Sequence, residues 1–180
     1  LQNTTFDYAT LDGADLRNVV AFNASFIGAG MNHSYLQYAE FNALGNGCTG
    51  YCGAANLSNA NFRHANLERA YLQYVPLPHA NLQFSNLAYT QFYGANLAHV
   101  NFNYADLTFV SAASANISFA SFYSATMPYA WLASANLSYA FFYEADLTNS
   151  MFSDALMINT SFISANLAES DFQNGNLTNE

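Results

Sequence analysis

From Leu57 to Leu177 every fifth residue is Leu, Phe, Ile, Met or, once, Ala112, so twenty-five centres keep register over 121 residues. A period of five is neither the 3.6 of a helix nor the 2 of a strand. It fits a solenoid in which each pentapeptide makes one short extended side and one turn, pointing a large apolar residue inward once per side. The residue two places before each centre is small, as at Ala55, Ala60, Ala65, Ala70, Val75, Ala80, Ser85 and Thr90. This second inward position admits only small groups, and the other three places carry the polar residues.

Centres twenty apart sort by type, which predicts four sides per coil. Phe62, Leu82, Phe102, Phe122, Phe142 and Phe162 form one column, and Leu67, Leu87, Leu107, Met127, Leu147 and Leu167 another. A third runs Leu57, Leu77, Leu97, Ile117, Leu137, Met157 and Leu177; the fourth, Leu72, Phe92, Ala112, Leu132, Phe152 and Phe172, is mixed. Ala112 is expected to leave the tube locally underpacked.

The tandem A-[DN]-[LF]-x-x pattern, seen in ANLSN, ANFRH, ANLER, ANLQF and ADLTF, resembles the pentapeptide-repeat family. The resemblance covers nearly the whole chain. It implies an all-β solenoid, a right-handed quadrilateral β-helix with about four pentapeptides per coil and the Leu or Phe filling its centre.

The first eight centres, Phe6 to Phe41, are one residue out of phase with the later run. The simplest cut isolates Leu44 to Ala54, LGNGCTGYCGA, as an eleven-residue surface excursion from a single domain spanning 1–180. Loops on a regular scaffold often carry function. This one holds both cysteines, Cys48 and Cys52, which can close a small disulfide if their Cα atoms come within about 7 Å; free thiols are the alternative. Zinc normally needs four ligands, and only His33 and His64 are near in sequence, so no metal site is expected.

The bases are Arg17, Arg63 and Arg69, with no lysine, against twelve acids, for a net charge of −9. That balance argues against nucleic acid as a direct partner, because phosphate contacts need Lys and Arg. Asp15, Asp106, Asp146 and Asp171 stand just before a centre, where a turn-stabilising hydrogen bond is the expected role. Some members of the family are acidic DNA mimics that bind type II topoisomerases. Mimicry needs a dense negative stripe, and Asp7, Asp12, Glu40, Glu68, Glu144, Asp154, Glu169 and Glu180 are scattered.

Asn-x-Ser/Thr sequons at Asn56, Asn116, Asn136 and Asn176 follow from the repeat itself. Those at Asn3, Asn23, Asn32 and Asn159 fall at outward positions outside it and are candidate N-glycosylation sites. With the cysteines and the lack of lysine they point to an extracellular or lumenal protein; a topoisomerase-binding member would be cytoplasmic. No apolar run approaches the ~20 residues of a membrane helix, so a soluble domain with no membrane insertion is expected.

Rings crowd the outward positions one or two places after a centre: Tyr74, Phe84, Tyr89, Tyr93, Tyr104, Phe109, Phe119, Tyr123, Tyr129, Tyr139 and Tyr143. Tyr123 should lie against Tyr143, Phe119 against Tyr139, and Tyr89, Phe109 and Tyr129 should form a ladder, with His79 and His99 in the Phe119 column. Such stacks can be purely structural. An apolar band of this size over the middle coils is also a candidate interaction surface for protein, glycan or another copy of the rod.

No phosphate loop, paired acids in a cleft or Ser-His-Asp set is visible, so neither catalytic residues nor a cofactor are expected. The repeats begin by Thr4 and Phe6 and persist to Leu177 and Thr178, with no amphipathic helix at either end. Ends of this kind need covering by caps or by another copy, and head-to-tail contact yields filaments. The expected function is a non-enzymatic structural or adhesive rod, self-associating end to end or binding partners through its rings. The alternatives are a topoisomerase-binding mimic and a monomeric protein-binding module.

Overall fold

The computed structural model describes residues 1–42 and 53–178. Parallel bridges join residues twenty apart, as in Asn61 to Asn81, Asn81 to Asn101 and Asn101 to Ser121. One coil is therefore twenty residues and four turns. Across the excursion the same ladder steps by thirty-one, from Ser25 to Asn56 and from Tyr35 to Asn66, which is eleven residues more than a coil. The chain leaves and rejoins the rod without shifting a column. The excursion's cysteines, Cys48 and Cys52, lie outside the described residues.

The sides are shorter than expected. Each contributes a single bridged residue, and no longer strand occurs among the described residues. The hydrogen bonding explains why so little strand suffices. At centre Leu87, the N–H of Leu87 donates to Asp106 O (2.7 Å) and that of Tyr89 to Thr108 O (2.9 Å), both in the next coil. The N–H of Thr90 closes the turn on Leu87 O (3.0 Å), and Gln91 N–H donates back to Ala70 O (3.0 Å). The fifth, on Ala88, donates to Asn86 Oδ1 (3.0 Å). All five backbone donors of the repeat are thus satisfied, as a packed backbone requires. The Asn or Asp before the centre exists to take the one donor that neighbouring coils cannot reach. Asp15, Asp106, Asp146 and Asp171 all perform that role, accepting from the N–H groups of Arg17, Thr108, Thr148 and Gln173.

Each turn holds its third residue in the left-handed region, with φ of 58° at Tyr8, 60° at Tyr89 and 62° at Tyr139, as a type II turn demands. A bulky side chain there costs about 1–2 kcal/mol per residue. Gly13, Gly28 and Gly94 occupy this place without that cost.

Inside, the large centres from Phe26 to Met157 are buried, those of the end coils are partly exposed, and all stack by column. Phe102 on Phe122, Phe122 on Phe142 and Phe142 on Phe162 have centroids 4.9, 4.5 and 5.1 Å apart. Burying each centre contributes roughly 1.5–3 kcal/mol. The second inward position is buried as well, and where it is polar its hydroxyl finds a carbonyl: Ser85 Oγ donates to Leu82 O (2.7 Å) and Thr90 Oγ1 to Leu67 O (2.8 Å). At Ala112 the column leaves an apolar void of about 10 Å³, walled by Phe92, Phe102, Ile117, Phe122 and Leu132. Among the described residues no helix is long and apolar enough to cross a membrane.

Candidate interaction surface

The four turns of a coil are four corners. We number them in chain order from the turn after Leu82: corner I follows Leu82, corner II Leu87, corner III Phe92 and corner IV Leu97. Coils one to eight are counted by their corner I centres, Leu11, Met31, Phe62, Leu82, Phe102, Phe122, Phe142 and Phe162. Coils lie one strand spacing apart, about 4.8 Å.

Because the third turn residue repeats at the same corner, its side chains stack along the rod. On corner I, His33, His64, Phe84 and Tyr104 are parallel neighbours, with centroids 4.9, 5.0 and 4.9 Å apart. Corner IV carries His79, His99, Phe119 and Tyr139 at 4.7, 4.8 and 4.8 Å. On corner II, Tyr89, Phe109 and Tyr129 stack at 5.1 and 4.8 Å, and the Arg69 guanidinium continues the ladder between Tyr89 and Tyr38, 5.2 and 5.8 Å from their centroids. Its Nη1 donates to Tyr38 Oη (2.8 Å), a bond that raises the Arg69 pKa further. Beside corner I, Tyr123 packs edge-on against Tyr104 at 5.2 Å and parallel to Tyr143 at 5.5 Å. The Glu144 carboxylate next to it pushes Tyr123 upward.

The expected ladders are therefore present, but they do not form one band. They are three separate ridges on consecutive corners, because the turn places successive rings a quarter of the coil apart. Corner III carries no ladder: Tyr74 packs edge-on against Tyr93 at 5.5 Å, and its ring covers Gly94 so closely that an added Cβ would sit 2.6 Å from it. The ridges also present ring edges. Interplanar angles of 2–12° between rings twenty or thirty-one residues apart mean that the faces are turned along the rod and occupied by one another. Outward lie the positive edges and the tyrosine hydroxyls.

Phe84, Tyr89, Tyr104, Phe109, Phe119, Tyr129, Tyr139 and Tyr143 are exposed, whereas Tyr123 is half-buried. Sequence reasoning missed the apolar groups on the flat sides: Trp131, Phe141 and Met151 expose 51%, 52% and 46% of their surface from bridge positions. The signal was available, since that place is otherwise mostly Asn, Asp, Ser or Thr. Trp131 and Tyr71, with the corner II ridge, line an open groove of about 610 Å³ floored by Gln91 and Ser111.

Of the sequon asparagines, Asn3 and Asn23 are exposed, and Asn32 and Asn159 are half-buried. Asn23 donates to Asn3 Oδ1 (3.2 Å), and Asn32 Nδ2 donates to the Asp12 carboxylate (3.0 Å). Desolvation by its neighbours, then Arg63 and His33, hold His64 below its ordinary pKa. Among the described residues no three or more His, Cys, Asp or Glu gather where they could hold a metal ion.

The coil of four turns, the small and large inward positions and the corner stacks define a pentapeptide solenoid. A profile described as pentapeptide repeats matches eight copies, over residues 1–42, 51–88, 77–109, 90–138, 115–154, 130–162 and 145–179, and the chain belongs to that family. Among solved structures it resembles HetL, a pentapeptide repeat protein involved in heterocyst differentiation regulation from the cyanobacterium Nostoc, at 23% identity and TM-score 0.64, over 97% of this chain and 83% of that one. Two looser likenesses are a trypsin-treated variant of QnrB1, a plasmid-mediated fluoroquinolone resistance protein (18% identity, TM-score 0.39, 98% and 83% covered), and a pentapeptide repeat protein of the Arabidopsis thaliana thylakoid lumen (22%, 0.40, 68% of each). A search of curated proteins finds no match.

Proposed function

We propose that this protein is a non-enzymatic rod, a right-handed quadrilateral β-helix, whose work is structural or adhesive contact through the ring-bearing corners. One observation carries the reading. Residues 70–143 hold a single charged side chain, Asp106, yet expose most of the rings. Interface cores are poor in charge and rich in Tyr, Trp and Phe, and a solvated surface of this composition needs a partner to cover it. The same stretch counts against a topoisomerase-binding DNA mimic, which needs a continuous line of acids there.

The reading covers lateral contacts and end-to-end assembly into filaments. It also places the chain in an extracellular or lumenal setting, where Cys48 and Cys52 would oxidise and Asn3, Asn23, Asn32 and Asn159 could carry glycans. The test compares the wild-type chain with a Phe109→Ser/Tyr129→Ser variant as bait in cross-linking from its native source. Wild type should retain a partner or further copies of itself that the variant loses. Equal capture by both would refute a ring-dependent function. Electron microscopy of the native material separates fibres from discrete particles.

A further inference from the structure

Resting on that reading, we propose that the face between corners I and II binds a second copy of this chain, antiparallel, about a two-fold axis at coil five. The argument is where the few charges lie. Arg63 on corner I and Arg69 on corner II stand in coil three, two coils before coil five. Glu144 on corner I and Asp146, on the side leading to corner II, stand in coil seven, two coils after it. Between them the only charge is Asp106, in coil five itself.

A two-fold axis perpendicular to the rod and lying in the contact plane keeps each corner facing its own kind and reverses the order of coils. Coil three then meets coil seven twice over, Arg63 against Glu144 of the second copy and Arg69 against its Asp146, as an isologous contact requires. Parallel packing about an axis along the rod would exchange the two corners and set Arg63 against Arg69 of the second copy instead. The cations are already held in place: Arg63 lies 5.1 Å over the Phe84 ring, and Arg69 is fixed between Tyr38 and Tyr89. Arg69 is partly neutralised by Glu68 at 3.5 Å, so Arg63 is the freer partner. Glu144 is exposed, and its carboxylate accepts from the Ser124 hydroxyl (3.1 Å) beside Tyr123. On the axis, the edges of Tyr104 and Phe109 meet their own copies, and so does Asp106.

Four coil steps span about 19 Å, which makes a footprint at the small end of specific interfaces and a micromolar dimer. Sedimentation equilibrium of the full chain tests it. The wild type should dimerise across the micromolar range and weaken with salt. Each single variant, Arg63→Glu or Glu144→Arg, strikes both symmetric pairs and should weaken association about tenfold. The double variant should recover it. Asp106→Asn should tighten the dimer, because it removes the like-charge pair from the axis. Far-UV circular dichroism confirms that each variant folds. A chain monomeric throughout, or a dimer indifferent to these four variants, overturns the proposal. If a monomer still captures a partner in a ring-dependent way, this inference alone fails; loss of both removes the underlying reading too.

Discussion

Ala112 is the centre at which the described column leaves a void, and filling it is the sharpest test of the packing. Ala112→Leu adds three carbons to a site whose wall is wholly apolar and whose void, about 10 Å³, admits one water-sized sphere. At about 0.8 kcal/mol per buried carbon the gross gain is about 2.4 kcal/mol. Ordering the new side chain takes back about 0.5–1, leaving a net stabilisation of about 1.5 kcal/mol. Ala112→Val adds two carbons and should gain about 1 kcal/mol. Both should raise the urea midpoint with an unchanged slope and slow amide exchange in coils five and six. If Leu destabilises while Val stabilises, the void is real but the coil cannot yield around a longer side chain. If both destabilise, the column is already full and the reasoning is refuted.

Three further outcomes are expected. Gly94→Ala puts a Cβ at φ 63° and against the Tyr74 ring, and should lower stability by about 1–2 kcal/mol in the same denaturant assay. Because the folded state lowers the His64 pKa, the folded chain binds fewer protons than the unfolded; its contribution is present above 6.5 and lost as pH falls below it. His64→Phe should flatten the pH dependence of the urea midpoint through that range while keeping the stack with Phe84. The Asp15 carboxyl is held at about 2, against 3.8 ordinarily, chiefly by its hydrogen bond from the Arg17 side chain (Nη2 to Oδ2, 2.6 Å). This depressed value contributes stability above pH 3.8 that is lost as pH falls through 2, and in Arg17→Ala an NMR titration should find Asp15 returned toward 3.8.

The coil length, the columns, the underpacked Ala112 and the eleven-residue excursion were all legible in the sequence, because each rests on spacing alone. So was the pairing of Tyr89, Phe109 and Tyr129, which needs only the twenty-residue step. What spacing could not give was direction. Which corner a ring occupies is fixed by the turn, and that split the expected band into three ridges. That the turn's third residue is left-handed was signalled by Gly13, Gly28 and Gly94 recurring two places after a centre, with Asn18, Asn59 and Asn149 in the same place. The Tyr and Phe residues that share it hide the rule, because stacking offsets the backbone cost there. Trp131 and Phe141 escaped notice for a related reason: a search confined to the places after each centre passes over the side between corners.

The excursion after Phe41 shows how little this architecture asks of its corners. Eleven added residues leave Ser25 still bridged to the residue one coil on, Asn56. The rod therefore behaves as a coordinate system in which corner and coil number are enough to address any side chain. A foreign peptide spliced into a turn, or one twenty-residue block removed, would leave every other address intact, so the spacing between two surface groups can be reset in whole-coil steps.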